Sequence, residues 1–135
     1  MSTIFAYSGA DFSLFERITD RGIPMPHRLA IRRELQKLAN FPYEHLIPPK
    51  NILRPLGSLY DGTLLYELRP HCPDKTQYRL PLISPGVSLF NIMGFFSRKD
   101  AKFGKEIEIA NERYKRVRLE QATYELIDLE NDTRL

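Results

Sequence analysis

The sequence contains a single cysteine, Cys72, among its 135 residues. One cysteine excludes an internal disulfide, so packing alone must hold the fold, as is usual in a reducing compartment. The seven glycines are scattered and form no loop of the kind that cradles a phosphate. His27 and His45 have no metal-ligand spacing with Cys72. We therefore expect neither a metal nor any other cofactor.

Long apolar runs are also missing, since no segment approaches the roughly 20 residues that span a bilayer. Residues 1–5 have neither the basic nor the apolar region of a secretory signal. Hydrophobic residues make up 42% of the chain and charged residues 27%, which is typical of a soluble globular domain. These features predict a cytoplasmic protein without a membrane partner.

Charge is distributed unevenly along the chain. Residues 1–118 contain 19 basic and 12 acidic residues, whereas residues 119–135 contain five acids and one base. A basic body suits a polyanionic partner such as RNA, although an ordinary solvated surface is the alternative. We divide the chain into one domain, residues 1–118, and an acidic C-terminal extension, residues 119–135.

Hydrophobic periodicity predicts both helices and strands. The predicted helices cover about residues 11–20, 26–39 and 101–118. The predicted strands cover residues 52–59, 64–69, 77–83 and 87–95, with Asp61-Gly62 as a hairpin turn. Residues 4–7 could add a short strand, and the tail either extends the last helix or adds a strand. This order predicts a small α+β domain, with a twisted antiparallel sheet of three to four strands, two N-terminal helices and one C-terminal helix.

Five charged residues form the candidate catalytic group. Side chains alternate across a strand, so Glu67 and Arg69 share the polar face of the second predicted strand. Arg79 projects from the same face of the next strand, provided that the apolar residues of both strands face the core. Arg98 and Lys99 follow the last predicted strand and could close this face from its end.

This group of residues could cleave a phosphodiester. A guanidinium holds phosphate oxygens through its planar fork and stabilises the charge that develops in the transition state. A carboxylate such as Glu67 could remove the proton from a ribose 2′-OH. The alternative is that Glu67 pairs with Arg69 or Arg79 as a solvated ion pair of little energetic value.

Further RNA contacts are expected from Lys50, Arg54, Tyr60 and Lys102. The three cations could contact phosphates, and the ring of Tyr60 could stack on a base. We expect Tyr66 and Tyr78 to fill the core instead.

Four segments resemble RelE/HigB-type toxins, in particular the phage-associated HigB-like branch. Residues 59–69, LYDGTLLYELR, resemble the central strand of that family. The other segments follow in the family's order: QYRL at 77–80, IMGFFSRK at 92–99 and KEIEIA at 105–110. The similarity covers about residues 46–118.

The resemblance implies a RelE-like fold and a type II toxin that is neutralised by a cognate antitoxin. Such toxins enter the ribosome and cleave mRNA by attack of the 2′-OH, without a metal. Arg79 matches the arginine that holds the scissile phosphate, and Arg69, Arg98 and Lys99 match other basic positions. Glu67 matches an acidic position of this branch. The alternative is a catalytically poor RelE/ParE-like relative, or a phage interaction module, that inhibits a protein target.

One part of the family pattern is missing. Relatives often carry a histidine or tyrosine close to the basic pair, whereas here Phe95 and Phe96 precede the pair and Phe103 follows it. A phenyl ring cannot transfer a proton. His71 could substitute, but a histidine in a loop is more often simply solvated. The resemblance therefore leaves the proton-transfer group unassigned.

Overall fold

The computed structural model describes residues 1–48 and 52–132. In chain order its elements are β1 (Thr3–Ser8), α1 (Leu14–Ile18), α2 (Met25–Asn40), α3 (Tyr43–Leu46), β2 (Arg54–Ser58), β3 (Leu64–Leu68), β4 (Tyr78–Gly86), β5 (Leu89–Ile92), β6 (Phe96–Ser97), α4 (Glu106–Arg118) and β7 (Thr123–Leu126). Most of these helices and strands overlap the segments that the periodicity predicts.

The strands form one mixed sheet in the order β2-β3-β4-β5-β1-β7, and β6 pairs with the beginning of β4. β1 and β5 run parallel, whereas the other pairs are antiparallel. β2 lies at one edge and its register shifts between Pro55 and Gly57, as its proline and glycine predict. The hairpin at Asp61-Gly62 is also confirmed, with Gly62 at φ +87°.

The predicted fold class is wrong. Over residues 1–48 and 52–132 the sheet has seven strands rather than three to four, and it contains a parallel pair. The same residues form four helices, three of them between β1 and β2. The extra strands are short, and their partners are distant in sequence, so local periodicity gives little sign of them.

The larger hydrophobic core lies between α1, α2, α3 and one face of the sheet. Ile31, Leu35 and Leu38 of α2 are buried there, and their spacing of four and three residues predicts such an apolar stripe on one face of the helix. They belong to one cluster with Leu80 of β4 and Phe90 of β5. This side of the sheet holds the long helix α2 in a fixed position relative to the start of β4.

A second core covers the opposite face of the sheet. Ala110 of α4 belongs to a cluster with Leu65 of β3 and Ile83 of β4. The proviso that the apolar residues of both strands face the core fails at Leu64, which is 60% exposed, whereas Leu65 on the face of Glu67 is 1% exposed. Both faces of β3 are thus covered in part, and the face that carries Glu67 does not open directly to solvent.

The C-terminal extension contributes to the sheet. β7 pairs antiparallel with β1 through four residue pairs, and Ile127 is buried. Arg32 of α2 also donates a hydrogen bond to the carbonyl oxygen of Leu129, at 2.9 Å. Of the two expectations for this tail, the added strand is confirmed.

Candidate functional site

Two adjoining clefts open where the chain enters β4. The large cleft has a volume of about 700 Å³ and the small cleft about 270 Å³. Both are lined by residues 75–78, so this short segment forms the wall between them. Two clefts that share one wall offer a continuous surface for an extended ligand.

The large cleft lies between the α1–α2 connection, residues 74–78 and the segment around β6. Its basic lining residues are Arg17, Lys75, Arg98 and Lys99. Its acidic lining residues are Asp20 and Asp74. Phe95 and Tyr78 supply apolar surface, with their ring centroids 5.2 Å apart. This combination of rings and cations suits a ligand with flat groups and negative charge.

The small cleft is more strongly basic. Arg54, Arg69, Lys75 and Arg79 line it, and none of the described residues in its lining is acidic. Together the two clefts are lined by seven basic and two acidic side chains. Seven of the 19 basic residues of segment 1–118 therefore line these two clefts.

Glu67 is buried and already paired. It is 1% exposed, and its Oε1 accepts a hydrogen bond from Nε of Arg69. Its Oε2 has no hydrogen-bond partner in the described part of the chain. Glu67 lines neither cleft. The geometry gives a 2′-OH no route to this carboxylate, so Glu67 is a partner for Arg69 and not an accessible base.

Arg79 is held by contacts with α4 and the loop before it. Its Nη1 donates to Oε1 of Glu106, at 3.2 Å, and its guanidinium carbon lies 4.2 Å from the ring centroid of Phe103. Its Nε has no partner among the described residues. The side chain is 22% exposed and lines the small cleft. Arg79 thus combines a structural ion pair with a partly accessible guanidinium.

Arg98 and Lys99 are exposed and follow β6 directly. Both line the large cleft. Nε of Arg98 donates to Oε1 of Gln77 at 3.3 Å, and its guanidinium carbon lies 5.6 Å from the ring centroid of Phe103. The structure therefore divides the candidate catalytic group, with Arg98 and Lys99 in the large cleft and Arg69 and Arg79 in the small one.

The predicted RNA-binding residues are not all near the clefts. Arg54 is exposed on β2 and lines the small cleft. Lys102 is exposed in the loop that follows Lys99. Tyr60 is 52% exposed but packs on Tyr114 of α4 and lines neither cleft. Lys50 lies outside the described residues.

The sequence prediction missed a hydrogen-bonded group in the large cleft, formed by Asp74, His27 and Tyr78. Nδ1 of His27 lies 2.8 Å from the hydroxyl of Tyr78, and Nε2 lies 2.7 Å from Oδ2 of Asp74. His27 is 7% exposed and Tyr78 6%. All three residues line the cleft that contains Arg98 and Lys99. Below we call them the Asp74–His27–Tyr78 relay.

The surroundings set the charge states of two members of the relay. Hydrogen bonds from Thr76 and then from His27 lower the pKa of Asp74 to about 2, so it is ionised at neutral pH. Burial raises the pKa of Tyr78, and the neighbouring Cys72 and Asp74 raise it further. The phenol is therefore neutral and can donate a hydrogen bond.

Distance along the chain explains why the relay escaped prediction. His27 lies in the first turn of α2 and Tyr78 begins β4, 51 residues later. The sequence pattern gives His27 no metal-ligand spacing, and it favours the core over base stacking for Tyr78. The one local signal is Asp74, which precedes the Tyr78-Arg79 pair and forms a turn by accepting from the backbone N–H of Thr76.

Comparison with protein-family models, with curated proteins and with solved structures finds no match for this chain. The resemblance to RelE/HigB toxins thus stays a prediction. Among residues 1–48 and 52–132, no cluster of histidine, cysteine and carboxylate side chains could hold a metal ion. Within those residues no helix has both the length and the apolar character needed to cross a membrane.

Proposed function

We propose that this chain is the toxin of a type II toxin–antitoxin system and cleaves mRNA on the ribosome through attack of the 2′-OH, without a metal. The observation that carries the proposal is the charge of the two adjoining clefts, with seven basic and two acidic lining residues. A strand of RNA presents regularly spaced negative charges, and a groove lined by cations follows such a backbone. The sequence resemblance supplies the ribosome, mRNA and a cognate antitoxin as partners.

Arg98 and Lys99 are exposed and line the large cleft, where they would contact the scissile phosphate. Arg79 lies in the small cleft beyond the shared wall, where it would contact a neighbouring phosphate. Cations at fixed positions stabilise the extra charge of a pentavalent phosphorus. This arrangement replaces the single cluster on one open sheet face that the sequence suggested.

A second candidate function has one specific observation in its favour. The guanidiniums of Arg69 and Arg79 already have buried carboxylate partners, Glu67 and Glu106. Paired guanidiniums bind phosphate less strongly than free ones, because the carboxylate competes for the same donors. This favours a catalytically poor relative, or a phage interaction module, that inhibits a protein target.

Replacing both Arg98 and Lys99 by alanine tests the first function. We expect the wild type, induced in growing bacteria, to produce in-frame mRNA cleavage that primer extension detects. In the double variant, cleavage should fall by about 10²- to 10³-fold, which is the usual effect of removing a donor that stabilises transition-state charge. Both side chains are exposed, so the midpoint of thermal unfolding should barely change.

The matched control is a double alanine variant of Arg33 and Lys115. It removes two positive charges that line neither cleft, and it should cleave like the wild type. Undiminished cleavage by the Arg98→Ala/Lys99→Ala variant would contradict the assignment of the site. Growth arrest by the wild type without cleavage would establish the second function instead.

A further inference from the structure

The Asp74–His27–Tyr78 relay has a defined direction. Asp74 is ionised and can only accept, so the proton on Nε2 of His27 must face it across 2.7 Å. In a neutral imidazole the other nitrogen is then an acceptor. With the ring neutral, Nδ1 of His27 accepts from the hydroxyl of Tyr78 at 2.8 Å. The order is carboxylate, imidazole, hydroxyl, which is how a base activates a hydroxyl group in many enzymes.

The position of the relay distinguishes it from an ordinary buried hydrogen bond. Three separate segments bring it together: α2, the loop that contains Asp74, and the first residue of β4. It lies in the wall of a 700 Å³ cleft together with Arg98 and Lys99. Tyr78 lines both clefts, so it faces any strand that runs from one to the other. Phosphodiester cleavage needs a group that moves a proton and cations that stabilise negative charge. Here the buried pair His27 and Tyr78 lies in the same cleft as the exposed cations.

We propose that the Asp74–His27–Tyr78 relay is the proton-transfer site of the large cleft and that Tyr78 is the group that removes the proton from the attacking 2′-OH. The inference rests on the proposed function. It identifies the substrate as a strand of RNA whose ribose lies against Tyr78 while its phosphate contacts Arg98 and Lys99. It also assigns the proton transfer to residues that lie outside the predicted catalytic group.

The chemical step balances without a further reactant apart from water. The 2′-oxygen attacks the adjacent phosphorus, so the O2′–P bond forms while the P–O5′ bond breaks. The 2′ proton moves to the oxygen of Tyr78 as the phenol proton moves to Nδ1 of His27, and Asp74 stabilises the resulting imidazolium. The departing 5′-oxygen takes a proton from a water molecule. The resulting hydroxide takes a proton from Tyr78, and the imidazolium of His27 then returns a proton to Tyr78.

Three single variants test the relay: Tyr78→Phe, His27→Gln and Asp74→Asn. The measurement is the single-turnover rate of mRNA cleavage, with purified chain added to ribosomes programmed with a defined mRNA, between pH 5.5 and 9. We expect each variant to lower the rate by about 10²- to 10⁴-fold. Binding to the programmed ribosome should stay within about twofold, because the contacts to the phosphates are kept. The loss in Tyr78→Phe should persist across this pH range, because the pKa of Tyr78 is raised by burial and the wild-type phenol stays neutral throughout it.

Asp20→Asn is the matched control for Asp74→Asn. Asp20 also lines the large cleft and loses the same charge, but its partners are Arg17 at 3.6 Å and the backbone N–H of Gly22 at 2.9 Å, and not His27. Asp74 has an exposed side chain, so Asp74→Asn should fold even if the variants at the two buried positions do not. A low rate for Asp74→Asn with a normal rate for Asp20→Asn supports the relay.

Three outcomes count against the proposals, and they differ. Wild-type rates in folded Asp74→Asn overturn the relay and leave the proposed function standing, whatever happens at His27 and Tyr78. Equal losses in Asp74→Asn and Asp20→Asn also overturn it, because they show an effect of charge alone. If the wild type itself does not cleave mRNA on the ribosome, the proposed function fails and the relay fails with it.

Discussion

Arg79→Ala is expected to lower the free energy of unfolding by about 3 kcal/mol, through the loss of an ion pair whose acidic partner is buried. Glu106 is 3% exposed and accepts from Nη1 of Arg79 at 3.2 Å. Without Arg79, this carboxylate stays buried in the first turn of α4 and has lost its ion-pair partner. The loss of the contact with Phe103, at 4.2 Å, adds to the cost. Urea denaturation of the purified variant measures the change.

The double variant Arg79→Ala/Glu106→Gln separates charge from packing. It removes the unpaired charge, so it should recover more than half of the stability that Arg79→Ala loses. If Arg79→Ala is as stable as the wild type, the ion pair with Glu106 does not stabilise the fold. Loss of toxicity in Arg79→Ala would by itself leave unfolding as an explanation, and this is why the exposed pair Arg98 and Lys99 is the sharper probe of phosphate binding.

Several local features could be predicted because their causes are local. Gly62 adopts a φ of +87° at the predicted hairpin turn, and residues 31, 35 and 38 of α2 form the predicted buried stripe. The alternation of side chains also placed Glu67 and Arg79 on one face correctly. Glu67 lies opposite Pro81 in the register of β3 and β4, and Arg79 is two residues from Pro81 along the strand.

The wrong fold class has its cause in long-range pairing. Ala6 of β1 pairs with Ile92 of β5, and Tyr7 pairs with Tyr124 of β7. Neither β1 nor β7 exceeds six residues. In these two pairs the partners lie 86 and 117 positions apart in the sequence. The pattern of residues within such a strand is too short to identify it as a member of the sheet.

The way in which the site is packed could not be predicted, for a related reason. The alternation of a strand shows which residues share a face, but it does not show what covers that face. Here α4 covers it and supplies Glu106, 27 residues from Arg79. The relay could not be predicted for the same reason, because the packing of α2 on the sheet brings His27 and Tyr78 into contact. Composition predicted a basic surface, whereas packing determines which of its cations are free to bind.

Arg113→Ala is expected to lower the free energy of unfolding by about 3–5 kcal/mol, because this arginine is a charged residue at the centre of a packed interface. It is 3% exposed, its Nη1 donates to the carbonyl oxygen of Met93 at 2.8 Å, and its Nε donates to Oδ2 of Asp11 at 3.3 Å. Burial lowers its pKa, although the charge of Asp11 opposes this effect. Alanine would leave the carbonyl oxygen of Met93 without this hydrogen-bond donor. It would also open a cavity beside Phe12, because the ring centroid of Phe12 lies 4.1 Å from the guanidinium carbon.

Arg116→Ala is the control for Arg113→Ala. Arg116 forms an ion pair with the same carboxylate of Asp11, at 2.8 Å, but its side chain is 38% exposed. Arg116→Ala should lower the free energy of unfolding much less than Arg113→Ala does, as is usual for an exposed ion pair. Equal losses in the two variants would show that Asp11 alone, and not the buried contacts of Arg113, carries the effect.

Arg113 also has a consequence for the large cleft. A Cβ on Gly94 would lie 2.9 Å from Nη1 of Arg113 and 2.8 Å from the ring of Phe96, so the chain between β5 and β6 passes directly over the guanidinium. That segment leads to Phe95, Arg98 and Lys99 in the cleft. Arg113→Lys keeps the positive charge but loses the planar guanidinium that contacts this segment. If Arg113 fixes the segment, the variant should cleave mRNA more slowly even at temperatures where it is fully folded. Normal cleavage by folded Arg113→Lys would show that the position of the basic pair does not depend on this contact.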